Sequence, residues 1–315
     1  MTAVTSRAAS RAVKERQKLE GRDRGILSSF EWQMRRIRVA MGGVHVFLFA
    51  GLLFAGLGPI LWLVKTAFTP THDTLSQPLA IFPTGPILDN VIAAVADVHI
   101  ERYFLNSVLL ALGSWAVQII VATTGGYVLS VLRPKYAPII NGLILATLFI
   151  PSVVLLVPLF LTILHPAGIG PNLLNTYWAV WLPAGANAFN VLLVKRFFDN
   201  LPREIFEAAR TDGASPFRVF WSIVLPMSKP ILGVVSVFAI IASWKDYLWP
   251  RLVLPPAPDL DLQPLSVRLP AIAGVTDVGV LMASLAIATV VPIVFFLLFQ
   301  RVFLNGAGLG GAVKG

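Results

Sequence analysis

Six separate stretches of this chain are each apolar over about the 20 residues that a membrane-crossing helix needs. They fall approximately at residues 44–64, 105–127, 139–163, 177–195, 230–250 and 280–300. Inside lipid, backbone donors and acceptors must be satisfied within the chain, so such stretches form helices. The expected fold is therefore an all-α membrane protein of six transmembrane helices. Only 13% of the 315 residues are charged, against about 25% in a soluble domain, which leaves no room for a large soluble domain beside the spans. The run Val44–Val64 is too long, and starts too far in, for a secretory signal with its apolar core of about 7–15 residues. It is expected to be an uncleaved first span.

Charge sets the orientation. Of the 25 Lys and Arg, 20 fall in residues 1–43, the loops after the second and fourth stretches, and the C-terminal tail. Only Lys65, Arg102, Arg251 and Arg268 fall in the opposite loops, and Lys245 lies within the fifth stretch. The positive-inside rule then places both termini in the cytoplasm. The expected organisation is a basic tail at 1–43, a six-helix membrane domain at 44–303 that includes the loop 200–226, and a short tail at 304–315. Leu27, Phe30, Met34 and Ile37 are spaced as one face of an amphipathic helix that can lie on the inner membrane face. An extension of the first span accounts for the same pattern. The outer loops, 66–103 and 251–279, are connectors or docking surfaces for an external partner.

Several chemistries are excluded. The net charge of +9 does not point to nucleic acid, because the basic residues flank apolar runs. With no cysteine there is no disulfide, thiolate metal site or cysteine nucleophile. His45, His72, His99 and His165 are scattered, without metal-ligand spacing. No G-x4-G-K-[ST] loop is present to hold ATP. Gly306-Ala-Gly308-Leu-Gly310-Gly311 matches a dinucleotide fingerprint but has no strand before it and no room for a helix after it.

Pro59, Pro151, Pro158, Pro183 and Pro292 interrupt the apolar stretches. Each removes a backbone donor, and the carbonyls it frees must find partners in neighbouring helices or an aqueous cavity. Asn106, Ser114, Gln118, Asn187 and Asn190 place polar groups at membrane depth. They suit a path for a hydroxylated solute and equally suit hydrogen bonds between helices. The fifth stretch carries Trp244-Lys245-Asp246-Tyr247-Leu248-Trp249-Pro250. Aromatic rings beside polar groups can hold a sugar; an interfacial aromatic belt has the same composition. Trp244, Lys245, Asp246, Tyr247, Asn187 and Asn190 are the candidate substrate-path residues.

The loop from Asn200 to Pro226 reads as two short helices. Asn200 is expected to cap the first, with Pro202 in its opening turn. Ile205, Phe206 and Ala209 share a face, and Gly213 supplies the left-handed turn that stops the helix. Ser215 caps the second, with Pro216 at its first position, and Pro226 ends it. A compact helix–Gly–helix element with small residues at Ala208 and Ala209 and a charge at Glu207 is a docking element for a cytoplasmic protein.

Glu207-Ala208-Ala209, Gly213 and Ile223-x-Leu225-Pro226 together resemble the EAA signature of importer permeases in the ABC transporter superfamily. The resemblance runs over roughly residues 44 to 315. It includes Asn106-Ser107, Ile150-Pro151, Val157-Pro158, Asn175-Thr176, Leu182-Pro183 and Arg196-Phe197-Phe198. The ending Gly311-Ala-Val-Lys-Gly315 is similar to that of the second permease in carbohydrate importers of the maltose type. One departure is Trp244-Lys245-Asp246-Tyr247, where the family commonly shows Trp-Asn-Glu-Phe.

The resemblance implies a multi-pass subunit of the bacterial cytoplasmic membrane. It would pair with a second, homologous permease, two ABC ATPase subunits and an extracytoplasmic solute-binding protein. Glu207, Ala208, Ala209, Gly213, Ile223, Leu225 and Pro226 would couple to the ATPase. The chain itself would bind no cofactor and catalyse no reaction; ATP and Mg would be used by the partner. The solute would be a sugar or oligosaccharide. Importers of amino acids, peptides or phosphate esters share the signature, and an ion-coupled carrier is a rival reading whose one candidate coupling acid is Asp246.

Overall fold

The computed structural model describes residues 35–258 and 260–308. The amphipathic positions Leu27, Phe30 and Met34, and the tail from 309 onward, lie outside the described residues. The chain divides into two units, 1–62 and 63–315. In the first, residues from Arg35 onward form the greater part of the helix Arg35–Ala67. Between Val46 and Trp62 its side chains are apolar on every side and mostly exposed, with Phe47 at 77% and Phe54 at 81%. A helix without a polar face is a lipid-facing helix.

In the second unit the central element is the helix Ile100–Tyr127, which continues as a π turn over Val128–Leu132. It packs against the helices Trp178–Gly185, Ala188–Asp199 and Lys229–Lys245. Close approach depends on Gly113: a Cβ there would stand 2.1 Å from the Trp181 ring. Polar ties cross the same interfaces. The Trp115 indole donates to Ser236 Oγ at 2.7 Å, and Asn190 Nδ2 donates to Gln118 Oε1 at 2.7 Å. In lipid, such bonds are worth about 0.6–2 kcal/mol each.

Three helices among the described residues are long and apolar enough to cross a membrane, and up to five crossings result if two bent pairs each count as one. The third stretch is not one straight helix. Ala137–Thr147 and Ser152–Leu164 meet at 103°. Pro151 has no N–H to continue the ladder. The chain closes with short turns at Leu148, Phe149 and Ile150, and restarts as a 3-10 turn at Ser152–Leu155. The fourth stretch is likewise two helices, Trp178–Gly185 and Ala188–Asp199, separated at Ala186 and Asn187. Pro183 sits inside the first of these; the break follows it. The fifth helix ends at Lys245, short of the expected Pro250, because Asp246 turns extended before a further short helix, Leu248–Val253.

The segment 251–279 is folded back onto the central helix. Asn106 Nδ2 donates to the carbonyls of Asp261 and Gln263, both at 3.0 Å, and its Oδ1 accepts from Tyr177 at 2.9 Å. Ser107 Oγ accepts from the Leu265 amide at 2.8 Å, and Tyr103 donates to Asp261 Oδ2 at 2.9 Å. Asn106 is therefore an anchor for this loop.

Candidate functional site

The docking element begins with the helix Arg203–Thr211. Its N-terminus differs from the sequence expectation. Pro202, not Asn200, stands at the cap position. Asn200 closes the preceding helix, its amide bonding to Phe197 O and its Nδ2 donating to Arg196 O at 3.0 Å. The C-terminus agrees with it. Gly213 has φ +70°; the Ala214 amide bonds to Ala209 O at 2.9 Å and the Gly213 amide to Arg210 O at 3.0 Å. This pair of bonds is the Schellman arrangement, which satisfies the last carbonyls of the helix. Ser215 then caps the second helix by accepting from the Arg218 amide at 3.3 Å, with Pro216 in the first turn.

The second helix does not stop at Pro226. It passes through a π turn, Phe220–Val224, and the turn Leu225–Met227, then bends by 78° into Lys229–Lys245. Pro226 falls inside this continuous run, where it supplies no N–H to the ladder.

One face of the element is buried. Ala209, Val219, Phe220 and Val224 pack with Tyr127, Leu129, Val194 and Phe198, flanked by Phe206, Ile223 and Leu225. Tyr127 donates to the Pro216 carbonyl at 2.8 Å, and its ring lies 5.1 Å from that of Phe220. Glu207 and Ala208 face outward and are exposed. The element is thus fixed to its neighbours by Ala209 and leaves Glu207 and Ala208 exposed.

Beside it lies a charge cluster that the sequence did not single out. Asp199 Oδ1 accepts from Ser130 Oγ at 2.8 Å and from Arg133 Nη2 at 3.1 Å, and Oδ2 accepts from Lys195 Nζ at 2.8 Å. Burial acts to raise the Asp199 pKa. The bonds from Lys195 and Ser130, the Lys195 charge and the Arg133 bond outweigh it and hold the carboxyl below its ordinary range. Arg133 adopts a left-handed backbone, φ +46°.

The second feature is a cavity of about 660 Å³. Its wall includes Ser114 and Gln118 of the central helix, Ser152 after the Pro151 bend, Asn187 at the break in the fourth stretch, and Lys245 and Asp246 at the end of the fifth. It therefore sits where three apolar stretches are interrupted. Asn187 Oδ1 accepts the Asn190 amide at 2.9 Å and so caps the helix that leaves the break. Ser243 and Ser114 hydroxyls are 3.4 Å apart. Among the described residues the exposed Lys245 ammonium has no ion pair or hydrogen bond. Asp246 is held: its Oδ1 accepts the Trp249 amide at 3.4 Å and its carbonyl accepts Ser266 Oγ at 2.6 Å.

Of the candidate path residues, Lys245, Asp246 and Asn187 line this cavity, and Trp244, Tyr247 and Asn190 do not. Trp244 packs edge-on against Phe104 at 6.0 Å. Tyr247 lies under Arg251, 5.8 Å from ring centre to guanidinium. Asn190 is 2% exposed and bonded to Gln118. Ser152 and Ser243 were not anticipated; the position of Ser152 directly after Pro151 was the one available signal.

Broken apolar helices around a largely apolar cavity that carries a few polar side chains, joined to a capped helical hairpin at one end, have the build of a solute-transport membrane subunit. The chain belongs to the family of binding-protein-dependent transport system inner membrane components, whose sequence profile matches residues 122–306. It is a multi-pass protein of the bacterial inner membrane. It is similar to the arabinooligosaccharides transport system permease protein AraQ of Halalkalibacterium halodurans, with 31% identity over 85% of this chain and 94% of that one. It is 30% identical to the lactose transport system permease protein LacG of Rhizobium radiobacter, over 83% of this chain and 92% of that one. Its fold resembles a chain in the crystal structure of a bacterial ABC transporter involved in the import of the acidic polysaccharide alginate. The TM-score is 0.74 at 20% identity, covering 85% of this chain and 98% of that chain.

Proposed function

We propose that this chain is one of two permease subunits in an ATP-driven importer of a sugar or oligosaccharide. The observation that carries the reading is the docking element: Gly213 in its left-handed turn, Ala209 buried against the span ends, and Glu207 and Ala208 exposed. A rigid projection of this kind transmits force from a partner, and the chain carries no phosphate-binding loop of its own. Two ABC ATPase subunits using ATP and Mg would grip this element here and in a second, homologous permease. An external binding protein would deliver solute, with the anchored loop 251–279 as its contact. The two bent pairs and the broken fourth stretch complete six crossings with both termini in the cytoplasm, in keeping with the Lys and Arg distribution. The sugar reading draws on the relatives named for arabinooligosaccharide and lactose transport. Ser114, Asn187 and Ser243 in the cavity wall suit a hydroxylated solute.

The mechanism is alternating access. Closure of the ATPases on ATP draws the 200–226 elements of the two permeases together. The spans, bent at their breaks, then open the cavity outward. On hydrolysis the elements part and the cavity faces inward.

The test is to tag the chain, extract it in mild detergent and identify what accompanies it, then reconstitute the assembly in vesicles. A second permease, a P-loop ATPase and ATP-dependent sugar uptake support the proposal. A lone chain that moves solute without ATP overturns it.

A further inference from the structure

Asp199 is the last residue of the helix Ala188–Asp199, three residues before Pro202 opens the docking element. Its carboxylate is the meeting point of two segments far apart in the chain. Lys195 approaches from one turn back on its own helix. Ser130 and Arg133 approach from the π turn and its exit, where the central helix ends. Ser130 is 3% exposed, and the Arg133 backbone takes the left-handed form that brings its guanidinium back over the turn. Arg133 and Asp199 also line a small cavity, about 70 Å³, with Phe206, Glu207 and Arg210 of the docking helix.

The bonds converge on a joint that apolar packing alone leaves free to slide. The docking helix shares one apolar cluster, through Ala209 and Phe206, with Leu129 of the π turn and Phe198 of the helix Ala188–Asp199. Contacts of that kind have no direction, whereas three charge-assisted bonds to one carboxylate fix distance and register. The central helix in turn carries Ser114 and Gln118 to the solute cavity.

We propose that Asp199 is a positioning residue for coupling: its bridge to Ser130 and Arg133 makes the end of the fourth stretch and the end of the central helix move as one piece when the docking element is displaced. The inference rests on the ATPase-docking reading of residues 200–226. Without the bridge, the element still binds its ATPase and the ATPase still turns over, but the stroke reaches the cavity incompletely.

The experiment uses the complete assembly in vesicles and reads three quantities: ATPase retained on the tagged chain, ATP hydrolysed, and sugar taken up per ATP. Asp199→Asn keeps an acceptor but discards the charge, and Arg133→Gln removes the far partner. Each is expected to lower uptake per ATP by about tenfold, within the range by which mutations shift coupling between sites, with retained ATPase and hydrolysis unchanged. Asp199→Glu restores most of the ratio. The exchange Lys195→Asp with Asp199→Lys rebuilds the pair within the helix but faces Arg133 with a cation, and is expected to stay uncoupled. Normal uptake per ATP in Arg133→Gln, or recovery in the exchanged pair, overturns the proposal. Loss of the ATPase from the wild-type assembly instead overturns the docking reading on which it stands.

Discussion

Around Asp199 and Gly213 the helix ends are closed by the chain itself. The Schellman bonds take up Ala209 O and Arg210 O, Ser215 caps the next helix, and Asp199 has three donors. Around the larger cavity Asn187 caps one helix, but other ends are left more open. The helix after Pro151 starts without a side-chain cap, Lys245 ends the fifth helix with its ammonium free among the described residues, and Asp246 holds the Trp249 amide only loosely at 3.4 Å. Both regions are built from interrupted helices, and most cavity polar groups are also bonded, Asn187 to the Asn190 amide and Gln118 to Asn190 Nδ2; the difference is Lys245, whose ammonium is free among the described residues. In the proposed importer the contrast would separate two duties: a transmitter of force must keep its shape, and a solute path must exchange its bonds with water and cargo.

The comparison breaks most severely if the packing common to both regions is disturbed. Gly113→Val pushes side-chain carbon into the Trp181 ring, where even a Cβ has no room. Overpacking of this sort costs about 1–3 kcal/mol or more, and we expect little folded chain in detergent, measured by size-exclusion recovery and thermal unfolding. Next comes Gly213→Pro, which demands a negative φ where the backbone has +70°. Co-purified ATPase should fall to near background while the permease remains folded. Gly213→Ala is the milder form, costing about 1–2 kcal/mol for a left-handed L-residue, and should weaken ATPase retention partially.

Glu207→Ala sharpens the contrast, since Glu207 is exposed and its loss removes no internal contact of the docking helix. ATPase affinity should drop by about tenfold, the scale of one charge pair at an interface, with the melting temperature unchanged. Lys245→Gln tests the other region. Uptake should change by several-fold, on the order of 1 kcal/mol, with assembly intact; loss of assembly would make Lys245 structural.

The smallest effect is with pH. The folded Asp199 pKa is held below its unfolded value, so the native state is favoured by the charged carboxylate above the unfolded pKa. That contribution fades as pH falls through the unfolded and then the folded pKa. Thermal stability should therefore decline on acidification in the wild type more than in Asp199→Asn.

The docking element was legible because its boundaries are set by residues with local rules: Gly213 for a left-handed turn, Ser215 and Pro216 for a helix start. The misplacement at Asn200 has the same root. Asn serves either end of a helix, and only the carbonyl of Arg196, one turn back, decides which. The cavity was half legible. Neighbouring side chains on a helix point about 100° apart, so Lys245 can reach the cavity while Trp244 packs on Phe104; composition names the cluster without sorting its members. The Asp199 cluster was only partly legible: Lys195 stands i,i+4 from Asp199 on one helix, but Ser130 and Arg133 join them only through tertiary packing, and in sequence the basic residues read as ordinary inner-face charges.

The break at Ala186 and Asn187 also bears on how such a chain is made. Helices of 8 and 12 residues reach only about 12 and 18 Å at 1.5 Å per residue, well short of a hydrocarbon layer of about 30 Å. Neither piece can reside in lipid by itself. The ribosome has already delivered the central helix when this pair emerges, and Gln118 and Val117 wait there for Asn190 and Gly185. If the second stretch templates insertion of the fourth, a nascent chain whose second stretch is damaged should expose the segment 177–199 to membrane quality-control proteases before synthesis ends.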